Sequence, residues 1–470
     1  MSLSKICRSC FVFALVTPAV VLGSCKQSSA PIASLHPARP SLQTVQEELR
    51  QQLAYRSLKT QLENQTSSLR RQQASVVDTK PIQNLDDPRV AVVPPVRQIS
   101  PSRSSGPLAK FHTKLAALDA GAAIRPVTIL HIGDSHVASD SFSRGIRENL
   151  QKRYGDAGRG TTIPAAAFRY GVAAGMAFSS SGPWQSKTAR KKNSGPFGLS
   201  GVRVTSRSSR ARLSMTSQNG SFDWVAVTVL TGPSQGSFTL SAGGVSQRFD
   251  AYAKKRGSKR FLIEAKARKA IVRPGGGART SVLSWSSGKN RPGIRYVNFG
   301  LIGATVGVTR RLDAKLVKAD IARLKPDLIV YGYGTNEGFN DRLDLKSHRK
   351  DANRFIDLVT SAAPDAEWVF IGAASGLRKR GRRVCGNWAL PPKLEPVRIS
   401  TREIARERQA AYWDWSKAMG GDCAINDWAQ KKFAAKDRVH LTMKGYRASA
   451  KSFSDWLTQP EPPVRQIALN

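Results

Sequence analysis

Apolar and polar positions change their period several times along the chain, and each change marks a different kind of element. Residues 127–132 form an unbroken, mostly apolar run that reads as a buried strand, and residues 139–154 carry apolar side chains at helical spacing. From about residue 160 the pattern becomes Gly-, Ser- and Thr-rich. Short alternating runs at 224–230, 236–240, 260–265 and 280–285 read as antiparallel strands between turns. Residues 294–298 read as a strand again. Helical spacing returns at 306–324, followed by a strand at 327–333, a helix at 346–362, a strand at 367–371 and a last helix at 442–457. Strands alternating with helices imply a parallel sheet covered on both faces. The expectation is therefore an α/β fold, a three-layer αβα parallel sheet interrupted by a β-rich, antiparallel insertion. Its boundaries are a first part at 108–159, the insertion at 160–293 and a second part at 294–460. No internal repeat is visible.

The ends read differently. Lys5 and Arg8 precede an apolar stretch at 10–22, too short for a membrane span, so residues 1–25 read as an export signal. Leu22-Gly23-Ser24-Cys25 resembles a bacterial lipobox, which implies a lipid on Cys25 and a membrane tether. Gly23 is a less usual residue there, so a plain cleaved signal stays open. Residues 26–107 read as a linker, helical where Leu42, Val45, Leu49 and Leu53 recur and Pro-rich from 81 onward; residues 461–470 read as a tail.

Charge and cysteines narrow the setting. Lys and Arg number 74 against 33 Asp and Glu, a net +41. A field of that sign favours polyanions. No aromatic-interleaved nucleic-acid module is present, so an exported chain is expected to meet acidic envelope glycans or phospholipid rather than nucleic acid. Of five cysteines, Cys7 and Cys10 fall in the signal and Cys25 at its end, leaving Cys385 and Cys423 as a candidate disulfide. No metal-ligand cluster is evident. His131 is expected in the core and His348 on the surface.

Candidate chemistry gathers where the predicted parallel strands end, which is where α/β sheets bind ligands. Ser135 follows the first strand in Gly133-Asp134-Ser135-His136, Gly303 follows the strand at 294–298, and Asn336 follows the strand at 327–333 in Gly334-Thr335-Asn336-Glu337. Asp437 and His440 precede the last helix, spaced so that one loop carries both a base and its carboxylate. A serine at such a turn commonly caps a helix; the Asp-x-x-His pair adds the partners of an activated nucleophile. Gly300 and Gly303 both suit a turn, and either could supply a backbone donor.

These blocks, in this order, resemble the SGNH or GDSL-type hydrolase family. The resemblance covers roughly residues 125–155 and 294–455. It implies an SGNH-like fold with Ser135 as nucleophile, His440 as general base and Asp437 as its orienting partner. It also implies an oxyanion hole from the amides of Ser135 and Gly303 and the side chain of Asn336, with no metal or organic cofactor. Asp134 and His136 are expected to shape the turn rather than to do chemistry. Glu337 stands where the broad family has Asp. Gly-Thr-Asn-Glu, with the run Gly155-Asp156-Ala157-Gly158-Arg159-Gly160, is similar to a narrower branch, exported bacterial peptidoglycan O-acetylesterases. That branch carries a carbohydrate-binding-like β-sandwich inserted after the first block. The function it implies is deacetylation of an envelope glycan, peptidoglycan first, in the periplasm or cell envelope. An O-acetyltransferase and a non-catalytic glycan-binding lipoprotein are the alternatives. Trp184, Trp224 and Trp285 would bind sugar if exposed, although Trp224 and Trp285 lie in runs that suit a sandwich core.

Overall fold

The computed structural model describes residues 106–165, 172–191, 194–459 and 467–468. The signal, Cys25 and almost all of the linker lie outside the described residues. Five parallel strands form the central sheet: β1 (Val127–Gly133), β2 (Ile294–Gly300), β3 (Leu328–Gly332), β4 (Glu367–Ile371) and β5 (Ala411–Trp413), in the order β2-β1-β3-β4-β5. The chain runs outward from β1 on one side and from β3 on the other. Strand order therefore reverses between β1 and β3, the position where open α/β sheets leave a crevice.

All seven residues of β1 are buried, as its continuous apolar run requires. One face is covered by α1 (Ala109–Asp119), α2 (Ser141–Tyr154) and the helix Met443–Leu457. Phe111, Phe142, Ile146, Trp413 and Phe453 fill that layer. The other face is covered by α3 (Ala314–Leu324), α4 (Leu345–Thr360) and α5 (Leu394–Glu407), through Val317, Ile321, Phe355, Ile356, Val359 and Ile404. Each such side chain contributes about 1.5–3 kcal/mol on burial, so the two layers fix the sheet firmly.

Local chemistry moves two sequence expectations. The helix read at 306–324 is broken into a 3₁₀ turn, Val306–Arg311, and α3, because Asp313 caps α3 by accepting from the amides of Lys315 and Leu316 at 3.0 and 3.2 Å. His348, expected on the surface, is only 5 % exposed. It shares the inward stripe of α4 with Ala352, Phe355 and Val359, so helical spacing carries it into the core.

The insertion is two antiparallel sheets. One joins Gly257–Ala267, Phe222–Thr231, Thr280–Gly288, Val202–Ser206 and Gln185–Thr188, with Gly160–Thr162 also paired to Thr280–Gly288. The other joins Met176–Ser181, Arg212–Ser217, Lys269–Pro274, Ser237–Ala242 and Val245–Asp250. Val225, Val227, Val229 and Trp285 from the first meet Leu213, Leu240 and Val272 from the second in one core, the packing of a sandwich. Trp224 is also buried, its ring covered by the Arg260 and Arg295 guanidinium groups at 4.7 and 5.3 Å. Trp184 is half-buried and donates to the Arg212 carbonyl at 3.0 Å. No helix among the described residues is long and apolar enough to cross a membrane.

Candidate active site

Three glycines lie side by side at the carboxyl end of the sheet, Gly133 of β1 between Gly300 of β2 and Gly332 of β3. They let the turn after β1 settle directly onto the sheet. A methyl on Gly300 would sit against the Ala138 amide and 2.6 Å from the Asp134 carbonyl. Asp134 begins that turn and caps the short helix Ser135–Ala138, its Oδ1 accepting from the His136 amide at 3.0 Å. The Asp134 carboxyl is pushed up to about 6 by burial, against the donors that face it.

The last loop brings the other partners. Asp437 Oδ1 accepts from the amides of Val439 and His440, both at 3.0 Å, and its Oδ2 faces His440 Nδ1 at 2.8 Å. His440 Nε2 lies 3.0 Å from Ser135 Oγ. With Nδ1 donating to the carboxylate, Nε2 is left to accept the serine proton. Burial pushes the Asp437 carboxyl up, but the His440 imidazole and the two amides outweigh it and hold it below the usual carboxylate range. Ionised at neutral pH, Asp437 can stabilise an imidazolium; that capacity is lost only as pH falls through this lowered value. His136 lies beneath His440, ring centroids 5.4 Å apart, against Trp415 and with Nδ1 at 2.9 Å from the Tyr446 hydroxyl. Burial pushes His136 down to about 3, so its imidazole is neutral at physiological pH.

The loop after β2 approaches from the other side. Gly303 is exposed with φ of +67°, a left-handed conformation suited to glycine. Two residues after β3 hold this loop: Asn336 Nδ2 donates to the Ala304 carbonyl at 2.9 Å, and Glu337 Oε1 accepts from the Val306 amide at 2.6 Å. Asn336 keeps a second amide hydrogen for a ligand. Thus Gly300 packs under the Ser135 turn, whereas Gly303 sits on an open loop fixed by Asn336 and Glu337.

The sequence model of the GDSL-like lipase/acylhydrolase family matches residues 275–448, which hold Gly303, Asn336, Asp437 and His440. The chain carries a GDSL-like lipase/acylhydrolase domain. It is a carboxylic ester hydrolase with the SGNH hydrolase fold. A solved peptidoglycan O-acetylesterase is similar to this hydrolase at 28% identity and a TM-score of 0.65, covering 75% of this chain and 95% of that one. A family two carbohydrate esterase from Cellvibrio japonicus matches at 13% identity and a TM-score of 0.26, over 60% of this chain and 98% of its own. No curated protein matches this chain in sequence.

One part of the candidate site escaped sequence reasoning, and a second, Glu337, stood out there only as a departure from the family pattern. Asp140, in the left-handed region at φ 52°, is buried between Arg147 at 3.2 Å and Arg159 at 3.0 Å. Arg159 continues to Asn298 Oδ1 at 2.8 Å, and Asn298 Nδ2 donates to the Val137 carbonyl at 3.2 Å. This chain ties the Ser135 helix to β2, and Asp140 also accepts from the insertion's Ala174 amide at 2.6 Å. The Gly155–Gly160 run was a visible signal of it; Asp140 was not.

The second is Glu337, whose carboxyl burial pushes up from 4.5 to about 7, with nearby Asp134 acting in the same direction against the Val306 amide. A raised carboxyl means that the folded state holds a proton the unfolded chain has released. The stability this carboxyl contributes is therefore fully present at acid pH and is lost as pH rises between these two values. Glu337→Gln keeps an acceptor for Val306 without the ionisation. Between about pH 4 and about pH 8 its stability relative to the parent should improve by about 3 kcal/mol, read from denaturant melts. A difference independent of pH would contradict this.

Cys385 and Cys423 are joined, with Cα atoms 5.4 Å apart across a separation of 38 residues. Cys25 lies outside the described residues.

Proposed function

We propose that this acylhydrolase is a serine esterase that removes O-acetyl groups from an envelope glycan, peptidoglycan first. Ser135 Oγ attacks the acetyl carbonyl while His440 Nε2 takes its proton, and Asp437 steadies the imidazolium. The oxyanion is held by the amides of Ser135 and Gly303 and by the Asn336 side chain. His440 returns the proton to the departing sugar oxygen, leaving acetyl-Ser135 for water to hydrolyse. The hydrogen-bonded line from Ser135 through His440 to Asp437 carries this reading. The likeness to a peptidoglycan O-acetylesterase supports the substrate.

Hydrolysis is favoured over transfer to a sugar by openness. Ser135 itself is buried, but the His440 and Asp437 side chains are 44% and 49% exposed, so water reaches the base that would activate it for attack on the acetyl-enzyme. The signal and lipobox pattern ending at Cys25 support an exported, membrane-tethered enzyme.

Acetate release from O-acetylated peptidoglycan and from a small acetyl ester, compared between the parent and Ser135→Ala, tests the reading. Release by the parent from both, abolished in the variant, supports it; no release from peptidoglycan refutes the substrate. Asn336→Ala should lower kcat on either ester about 10²- to 10³-fold with KM little changed, since the lost donor acts on the developing oxyanion. A rise in KM alone would instead make Asn336 a ground-state binder.

A further inference from the structure

We propose that the basic hairpin Arg378–Cys385 with Trp388–Ala389, beside the loop of Asp437 and His440, is a binding site for carboxylate-bearing glycan strands. The esterase reading supplies only the choice of a glycan as the polymer. Lys379, Arg380, Arg382 and Arg383 are all exposed, and none meets a carboxylate among the described residues. Elsewhere the arginines of this domain are often paired, as Arg349 is with Glu403 and Glu407, Arg398 with Asp422, and Arg402 with Asp414. Arg378, at the hairpin's foot, pairs with Asp341. Four like charges within five residues repel one another and lower their energy on meeting an anion. Guanidinium forks match carboxylates in particular.

The hairpin's place makes this more than a solvated charge run. Its foot is held to the segment that supplies the candidate base. Leu377 N donates to the Arg438 carbonyl at 2.9 Å, Asn426 Nδ2 to the Cys385 carbonyl at 2.8 Å, and the Cys385–Cys423 disulfide closes the attachment. The Trp388 ring packs beneath the Arg438 guanidinium at 5.1 Å, and Arg438 lies between Asp437 and His440 in the chain. The hairpin thus follows β4, on one side of the carboxyl ends of β1 and β3. On the other side, after β2, the insertion's exposed Arg190 places its guanidinium 3.3 Å from where a Cβ on Gly303 would lie. A strand laid across Ser135 would have cations on both flanks.

The test neutralises the tip in the full chain, with Lys379, Arg380, Arg382 and Arg383 each changed to Gln. The ratio of kcat/KM on O-acetylated peptidoglycan to that on a small neutral acetyl ester should fall about tenfold. Co-sedimentation of the Ser135→Ala protein with peptidoglycan sacculi should weaken by a similar factor once the tip is neutralised, and its salt sensitivity should fade. Arg380→Lys, Arg382→Lys and Arg383→Lys together should bind more tightly than the Gln variant and less tightly than the parent, since the charge is kept and the bidentate fork is lost. Removing four charges from the insertion, by changing Lys254, Lys255, Lys266 and Lys269 to Gln, should leave the ratio as in the parent. An unchanged ratio and unchanged sedimentation in the tip variant overturn the proposal. So does sedimentation of the parent with anionic phospholipid vesicles but not with sacculi. Hairpin-dependent sedimentation without acetate release refutes the esterase substrate and leaves the hairpin site standing.

Discussion

Ser135→Ala is expected to lower kcat on acetyl esters about 10⁴- to 10⁶-fold, with the fold and melting transition little changed. The size follows from what the hydroxyl does. Without Oγ, His440 Nε2 has no nucleophile to deprotonate at 3.0 Å, and only the oxyanion donors and binding remain to assist direct attack by water. The fold should tolerate the change because the cap of the short helix comes from Asp134, not from Ser135. Stopped assays of acetate release, with a melt of the same preparation, check both halves. A residual rate within tenfold of the parent would place the chemistry elsewhere.

Asp437→Asn is expected to lower kcat about 10³- to 10⁴-fold. Asn can still accept from the Val439 and His440 amides, so the loop keeps its shape. Its amide nitrogen, however, cannot accept from His440 Nδ1, and a neutral side chain does not stabilise an imidazolium. The tautomer with the proton on Nε2 then gains weight and disarms the base. Because the pair is about half exposed, water can take over part of the carboxylate's role, which sets the lower end of the range. The loss should lie in kcat with KM held; a loss confined to KM would make Asp437 a substrate contact.

Much of this was readable from the chain because the signals were local. The run at 127–132 is buried on both faces, and Asp437 and His440 lie on one loop only three positions apart, so the sequence carried both the strand and the pair. Other parts depend on distant partners. The tie from Asn336 to Ala304 spans 32 residues, and that from Arg159 to Asn298 spans 139. Strand β5 has only three residues, and in Arg378–Cys385 the basic side chains hide a strand pattern because both faces are wet. Asp313 broke a helix that apolar spacing alone would continue. His348 was misread for the opposite reason, since a titratable residue suggests the surface while its spacing from Ala352 and Phe355 puts it inside.

The central claim is an acetyl-serine intermediate at Ser135, and mass spectrometry of the enzyme quenched during turnover of a small acetyl ester tests it most directly. The expected result is one acetyl group on the peptide that contains Ser135, absent from Ser135→Ala and accumulating in a His440→Ala variant only if that variant still acylates. Acetyl on another residue, or steady acetate release without label on Ser135 at any quench time, would contradict the account.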